Sequence, residues 1–341
     1  MATDSSANPK ELCGACSGGA RIGLSRLASL MWGRFLYRLA VMGFDMAILI
    51  GMAFLLVASV LAMGGSIRLL QATALVPLLA MVAATAIQAW RKPGEWKSEI
   101  GHILRDWLPF CLVVFIYENL HDVAGQVTGW DFAVLLNEWD IAIFGVEPTI
   151  WAQRIFSPLA TDIFSISYAT YLMVGLFLML LLSLWDRRED FRHMSLAMTL
   201  TFLMGFVGYV FLPASPPRYF IEHLYTDPPR LYGLFLFDRL QGAWDGLSVI
   251  SGGAFPSLHV ALSAVALIYA FRFRNLNRAS RVVWYAYVPL ILSLWFSTVY
   301  LRHHWVIDIA AGILVAAAAY VGAEFLTRAW RGLRRRYGLP L

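Results

Sequence analysis

Eight stretches of the chain, near residues 39–63, 68–90, 106–120, 159–185, 195–213, 256–271, 283–300 and 304–327, are apolar over most of their length. A spanning helix needs about 20 mostly apolar residues. The bilayer core offers no water to backbone N–H and C=O groups, so such runs must close their own hydrogen bonds as helices. The fold class expected is therefore all-α: a polytopic integral membrane protein of about eight transmembrane helices. The third and sixth runs are short, which predicts less tilt, extension by flanking residues, or partial re-entry. Composition agrees: 59% hydrophobic and 14% charged residues contrast with about half and about a quarter in soluble domains.

The net charge of +5 raises the question of nucleic acid. The basic residues, however, fall in short clusters between apolar runs rather than on one face, so nucleic acid is not expected and membrane orientation is. With the N-terminus cytoplasmic, most of the 27 Lys and Arg residues lie inside, among them Arg187, Arg188 and Arg192, Arg272 to Arg281, and Arg328 to Arg336. Both termini are then cytoplasmic, in a bacterial-type plasma membrane. The expected organisation is a flexible cytoplasmic leader over 1–38, two N-terminal spans over 39–105, a catalytic membrane core over 106–327 and a basic tail over 328–341. Cys13-x-x-Cys16 in the leader lacks the second ligand pair of a zinc ribbon. No signal peptide is evident, since the first apolar stretch is too long for an h-region.

Two long outside segments remain, roughly 121–158 and 214–255. The first carries Asp131, Glu138, Asp140 and Glu147 among apolar residues and is expected to form interfacial helices. The second is rich in Pro, Gly and aromatic residues.

Ionisable residues at membrane depth are costly, so their clustering points to function. Three clusters fall at outside helix ends: Pro216-Pro217-Arg218-Tyr219, Phe255-Pro256-Ser257-Leu258-His259, and Arg302-His303-His304-Trp305-Val306-Ile307-Asp308. His304 and Asp308 are four apart, so on a helix the carboxylate can accept from one imidazole nitrogen and leave the other as nucleophile or base. His303 lacks such a partner, because Ile307 stands four residues on, and reads as an interfacial histidine. His259 opens a helix behind Ser257, a plausible N-cap; phosphate resting at that helix start would lie beside a proton donor. Arg218 and Arg302 suit phosphate through paired guanidinium hydrogen bonds, and Ser257 and Tyr219 complete the candidate binding set. Gly252 and Gly253 allow close backbone approach.

Three other readings compete. Zinc on two histidines and a carboxylate would leave neither an oriented His304 nor a nearby general base, so no metal or cofactor is expected. A transporter or flippase binding an anionic headgroup predicts broken helices and repeats, neither of which is evident in the sequence. A scaffold whose basic loops bind anionic lipid leaves His304 and Asp308 unexplained.

Taken together these residues resemble the type 2 phosphatidic acid phosphatase superfamily, with motifs K-x6-R-P, P-S-G-H and S-R-x5-H-x3-D. Pro256-Ser257-Leu258-His259 is similar to the second, with Leu for Gly. Ser297 to Asp308 is similar to the third, with Thr298 at the family arginine. The first survives as Arg218, with Phe211 at the lysine and Tyr219 at the proline. These departures resemble the branch of inositol phosphorylceramide synthases and related bacterial proteins, where P-S-L-H and Y-L-x-H-H-x-x-x-D are usual, the latter met by Tyr300 to Asp308. Asp140 to Pro148 also looks like a segment that precedes the core there. The resemblance covers roughly 110–327. It implies metal-independent phosphoryl transfer on a lipid phosphate or diphosphate, to water or to a second lipid or polyol hydroxyl, through a phosphohistidine. His304 would be nucleophile, Asp308 its orienting partner and His259 the acid. Arg218 and Arg302 would hold phosphate, assisted by Ser257.

Overall fold

The computed structural model describes residues 24–62, 96–120, 129–247 and 252–339. The predicted run 68–90 and the Cys13–Cys16 pair lie outside them. Among the described residues all elements are helical, and one β-bridge joins Ala214 to Gly253 in parallel. The chain divides into two compact units, Met1–Gly43 with Trp330–Leu341, and Phe44–Ala329.

In the first unit, α1 (Leu24–Met42) corrects the expectation of a flexible leader up to residue 38. Its Ala40 carbonyl accepts from Trp330 Nε1 and Arg334 Nη1, and the Tyr337 hydroxyl donates to the Gly33 carbonyl. The expected basic tail is thus a helical end held by hydrogen bonds to α1. Gly43, at φ +95°, ends α1 and breaks the first apolar run, which continues from Phe44 as α2 (Phe44–Ala62).

The second unit continues with α3 (Trp96–Asn119), α4 (Ala133–Phe144), α5 (Pro148–Ala152), α6 (Pro158–Ala169), α7 (Tyr171–Leu184) and α8 (Arg188–Phe211). The short α9 (Pro217–Phe220) and α10 (Phe237–Leu247) follow, then α11 (Leu258–Phe273), α12 (Arg278–Tyr300) and α13 (Val306–Arg336). Among the described residues α8, α12 and α13 are long and apolar enough to cross a membrane, and up to five crossings result if each of two bent helix pairs counts as one. That gives three to five of the expected eight. The 106–120 run is the C-terminal part of α3, whose first half carries Lys97, Glu99, Arg105 and Asp106. The 256–271 run is α11, only 16 residues long.

Helix α11 sits centrally against α12, α7 and α8, and Val260, Ala261, Leu262, Val265, Ala266 and Tyr269 are buried along it. Its alanines, Ala261, Ala264, Ala266 and Ala270, are buried and let these neighbours approach. The predicted interfacial segment contains the helices α4 and α5. Between α6 and α7 the chain bends by 46° at Thr170. A broken helix is therefore present where none is evident from sequence, and Tyr168 and Tyr171 flank the break.

Candidate active site

The segment after α12 is shaped by backbone bonds. The His303 and His304 N–H groups both donate to the Thr298 carbonyl, at 2.9 and 3.1 Å. Arg302 takes φ +64°, a left-handed conformation that costs a non-glycine residue about 1–2 kcal/mol and turns the chain before α13. Two carboxylates then cap α13. Asp140 on α4 accepts from Val306 N at 2.8 Å and Ile307 N at 3.1 Å, using orphan donors of the first helical turn. Asp308 Oδ2 accepts from Trp305 N at 2.9 Å and faces His304 Nδ1 at 3.2 Å. The His304–Asp308 pair thus forms as the spacing predicts, by a different route: His304 lies in the turn preceding α13, and Asp308 reaches back to it as a cap.

His259 meets this pair from α11. Ser257 is the N-cap, its Oγ accepting from Val260 N at 3.3 Å, and its own N–H donates to the Asp308 carbonyl at 3.4 Å. His259 Nδ1 stands 3.2 Å from His304 Nε2. Tyr168 stacks on the His259 ring with centroids 4.3 Å apart, and Tyr171 lies at 4.1 Å. A β-carbon on Gly312 would fall 2.7 Å from the Ser257 carbonyl oxygen and 3.2 Å from Ala261 N. Only a bare backbone at 312 lets α13 approach the start of α11 this closely.

Arg218 enters beside them, since its N–H donates to the Arg302 carbonyl at 2.9 Å. Its Nη2 pairs with Asp245 Oδ1 at 3.1 Å, and its guanidinium lies 4.6 Å over the Tyr219 ring. Its Nε and Nη1 are buried with no hydrogen-bond partner among the described residues. The same holds for His303 Nε2. A buried donor left unsatisfied costs about 1–3 kcal/mol, so the two Arg218 nitrogens, joined by His303 Nε2 in the tautomer that carries its proton there, mark a place for an acceptor. Far from lying at an interface, His303 is buried, stacked on Tyr168 at 4.5 Å and met edge-on by Trp244 at 5.7 Å. Burial, reinforced by the charge of Arg218, holds its imidazole well below the usual histidine pKa.

The guanidinium of Arg302, predicted as a second clamp, is elsewhere. It donates to the Pro228 and Pro229 carbonyls at 2.8 Å each and lies 3.7 Å over Tyr225. The reversal at its own φ turns its side chain away from the neighbouring histidines, and it braces the 228–229 loop. Tyr219 is 57% exposed and reaches the cluster only through Arg218. Gly252 and Gly253 serve backbone pairing: Ala214 N donates to Gly252 O, and Ala254 N to Ala214 O. Among the described residues no three His, Cys, Asp or Glu side chains converge to hold a metal ion.

Sequence reasoning passed over Asp140, Tyr168, Tyr171, Trp244 and Asp245. Asp140 reads in sequence as the polar face of an interfacial helix, yet it is fully buried. Burial raises its pKa to about 6 against the pull of its two N–H bonds. Between about pH 4, the free carboxyl value, and pH 6 the folded chain keeps a proton the unfolded chain has lost. This group therefore makes folding less favourable as pH rises through that window. Asp140→Asn should abolish that dependence and set an NH2 against Val306 N or Ile307 N. We expect about 1–3 kcal/mol lower stability and a kcat about 10- to 100-fold lower as the His304 turn shifts. Thermal unfolding across pH and steady-state kinetics check both, and unchanged kcat would mean that the cap does not position His304.

Residues 142–322 match the family model of the PAP2 superfamily. The phosphoinositol dihydroceramide synthase of Bacteroides thetaiotaomicron is 29% identical over 186 residues, 51% of this chain and 59% of that protein. The inositol phosphorylceramide synthase catalytic subunit of Schizosaccharomyces pombe is 33% identical over 136 residues, 36% of this chain and 30% of that protein. A PA-phosphatase related-family protein of Dictyostelium discoideum is 26% identical over 214 residues, 55% of this chain and 36% of that protein. The matches thus span from under a third to about three fifths of these relatives. No solved structure matches. The family match contains His259, His304 and Asp308 as well as Arg218, and covers more than half of the chain, so the chain belongs to the PAP2 superfamily.

Proposed function

We propose that this protein is a lipid phosphotransferase, which moves a phosphoryl-linked headgroup from a phospholipid donor to the hydroxyl of a second lipid or a polyol through a phosphohistidine. The observation that carries the reading is the relay Asp308 Oδ2, His304 Nδ1, His304 Nε2, His259 Nδ1, with both nitrogen contacts at 3.2 Å. Asp308 fixes the His304 tautomer with the proton on Nδ1, so that Nε2 presents a lone pair. His259 already faces that nitrogen, and phosphorus reaches Nε2 by displacing this contact.

In the first half-reaction His304 Nε2 attacks phosphorus. The bond from phosphorus to the lipid oxygen breaks, its electron pair goes to that oxygen, and imidazolium His259 supplies the proton. The anionic donor favours that charged form of His259. In the second, the acceptor hydroxyl oxygen attacks phosphorus, neutral His259 takes its proton, and the electron pair of the P–N bond returns to His304. Water as acceptor makes the same site a phosphatase. Arg218 holds the phosphate, and Ser257 braces the α11 start beside it. Arg302 shapes the loop. The names of the bacterial and fungal relatives favour transfer, with an inositol-phosphate headgroup and a ceramide-type acceptor as the substrate class to try first.

The site is assigned to the extracytoplasmic side. Its residues sit at the α8 exit, α11 entry and α12–α13 turn, whereas Arg187, Arg188, Arg192, Arg272, Arg274, Arg278 and Arg281 cluster at the opposite ends of the same helices. Positive residues stay inside. The test uses right-side-out and inverted vesicles, a panel of short-chain labelled phospholipids that do not cross the bilayer, an alcohol acceptor and excess chelator. Headgroup transfer is expected in right-side-out vesicles despite the chelator. Turnover confined to inverted vesicles would reverse the sidedness. Binding of a donor without product from any of the panel would instead favour an anionic-lipid transporter.

A further inference from the structure

We infer that His303 is a second phosphate ligand, completing with Arg218 an anion site that the relay alone does not provide. The inference rests on Arg218 as the phosphate group's holder in the proposed reaction, and it adds a residue that the helical spacing argument sets aside. Three observations carry it. First, Arg218 Nε, Arg218 Nη1 and His303 Nε2 are buried without a partner among the described residues, and with the His303 proton on Nε2 they form a three-donor set of the kind a tetrahedral oxyanion satisfies. Second, the two residues share one backbone junction, because Arg218 N donates to the carbonyl of Arg302, the residue before His303. Third, a continuous set of ring contacts ties His303 to the acid of the proposed reaction: Trp244 on His303, His303 on Tyr168, Tyr168 on His259. Stacking of this kind fixes ring orientation, and a ring that served only as packing would need no nitrogen there.

Asp245 supports the same reading. It neutralises Arg218 through Nη2 alone and remains half-exposed with Gln241 as its neighbour, leaving the buried edge of the guanidinium uncommitted. An arriving phosphate would meet that edge and His303 Nε2 together. The downward push of burial on the His303 pKa would be offset by the anion's charge, so the ligand itself favours the donor form.

The experiment measures orthovanadate binding to the purified full-length protein in detergent, by calorimetry, with no substrate turnover involved. His303→Phe keeps the ring and its stacking but removes the donor. His303→Asn places an amide at the Nδ1 position, and His303→Gln places one near Nε2. We expect vanadate to bind about 10- to 100-fold more weakly to the Phe and Asn variants, with the Gln variant within a few-fold of wild type, each variant keeping a cooperative thermal transition. If His303→Phe does not fold, the Asn and Gln pair decides. Equal binding by wild type and the Phe or Asn variant would overturn the role of His303 while leaving the relay intact. Wild-type protein that binds no vanadate would overturn both the His303 site and the phosphate-binding reading on which it rests.

Discussion

His304→Ala is expected to abolish turnover and any covalent phosphoenzyme, because among the described residues only His304 has an imidazole oriented by a carboxylate beside His259. His259→Ala is expected to fail differently. General acid catalysis is worth about 100- to 10,000-fold, and that is the predicted loss with natural lipid donors. An activated aryl phosphate needs little protonation of its leaving group, so it should largely restore His259→Ala and leave His304→Ala dead. Asp308→Asn should fall between them. Its carboxylate both faces His304 Nδ1 and accepts from Trp305 N, so the amide weakens orientation and basicity without removing the nucleophile. Rescue of His304→Ala but not of His259→Ala by the aryl phosphate would mean that the roles are exchanged. Equal, modest losses in all three would point to binding without catalysis.

Gly312→Val is the other change with a large expected effect, although the residue touches no substrate. A β-carbon there would stand 2.7 Å from the Ser257 carbonyl oxygen, 3.0 Å from Val260 Cβ and 3.2 Å from Ala261 N. Two of these are backbone atoms, so α11 and α13 must separate. Separation opens the 3.2 Å contact between His259 Nδ1 and His304 Nε2. Misplacement of about 1 Å costs about 100-fold in rate, and overpacking costs about 1–3 kcal/mol of stability. Gly312→Val should therefore lose at least about 100-fold in kcat with a lowered melting temperature. Gly332, where a β-carbon meets nothing within 4 Å, offers the control: Gly332→Ala should leave both unchanged. Full activity in Gly312→Val would show that the close approach of these helices is dispensable.

How much of this was legible in the sequence follows from what sequence encodes. Apolar runs announce helices, and the α8, α11, α12 and α13 segments stand near where hydropathy places them. Spacing announced the His304–Asp308 pair, and helix-end position brought His259 and Arg218 toward it. Local backbone reversals are less legible. Nothing in Arg302-His303-His304 says that Arg302 adopts φ +64°, and that one dihedral sends its guanidinium to Pro228 and Pro229 while burying His303. Partners distant in the chain are hidden for a different reason. Asp140 lies 166 residues before Val306, and an acidic residue in an amphipathic segment gives no sign that it caps a distant helix. The break at Thr170 is similarly silent, since Ala169 and Thr170 carry no Gly or Pro signal, yet it sets Tyr168 and Tyr171 against His259. Among the described residues α3 mixes charges into its first half and α11 is only 16 residues long, so neither meets the length and apolarity of a span.

The central claim is that phosphorus is held covalently on His304 between donor and acceptor. The most direct measurement is a rapid quench of the enzyme with a donor lipid carrying radioactive phosphorus, in the absence of acceptor, followed by peptide mapping. The account predicts a label that survives base, is lost in acid, maps to the peptide containing His304 and disappears when acceptor alcohol is added. It also predicts no label in His304→Ala. Turnover without any trapped label, or a label that persists in His304→Ala, would contradict it.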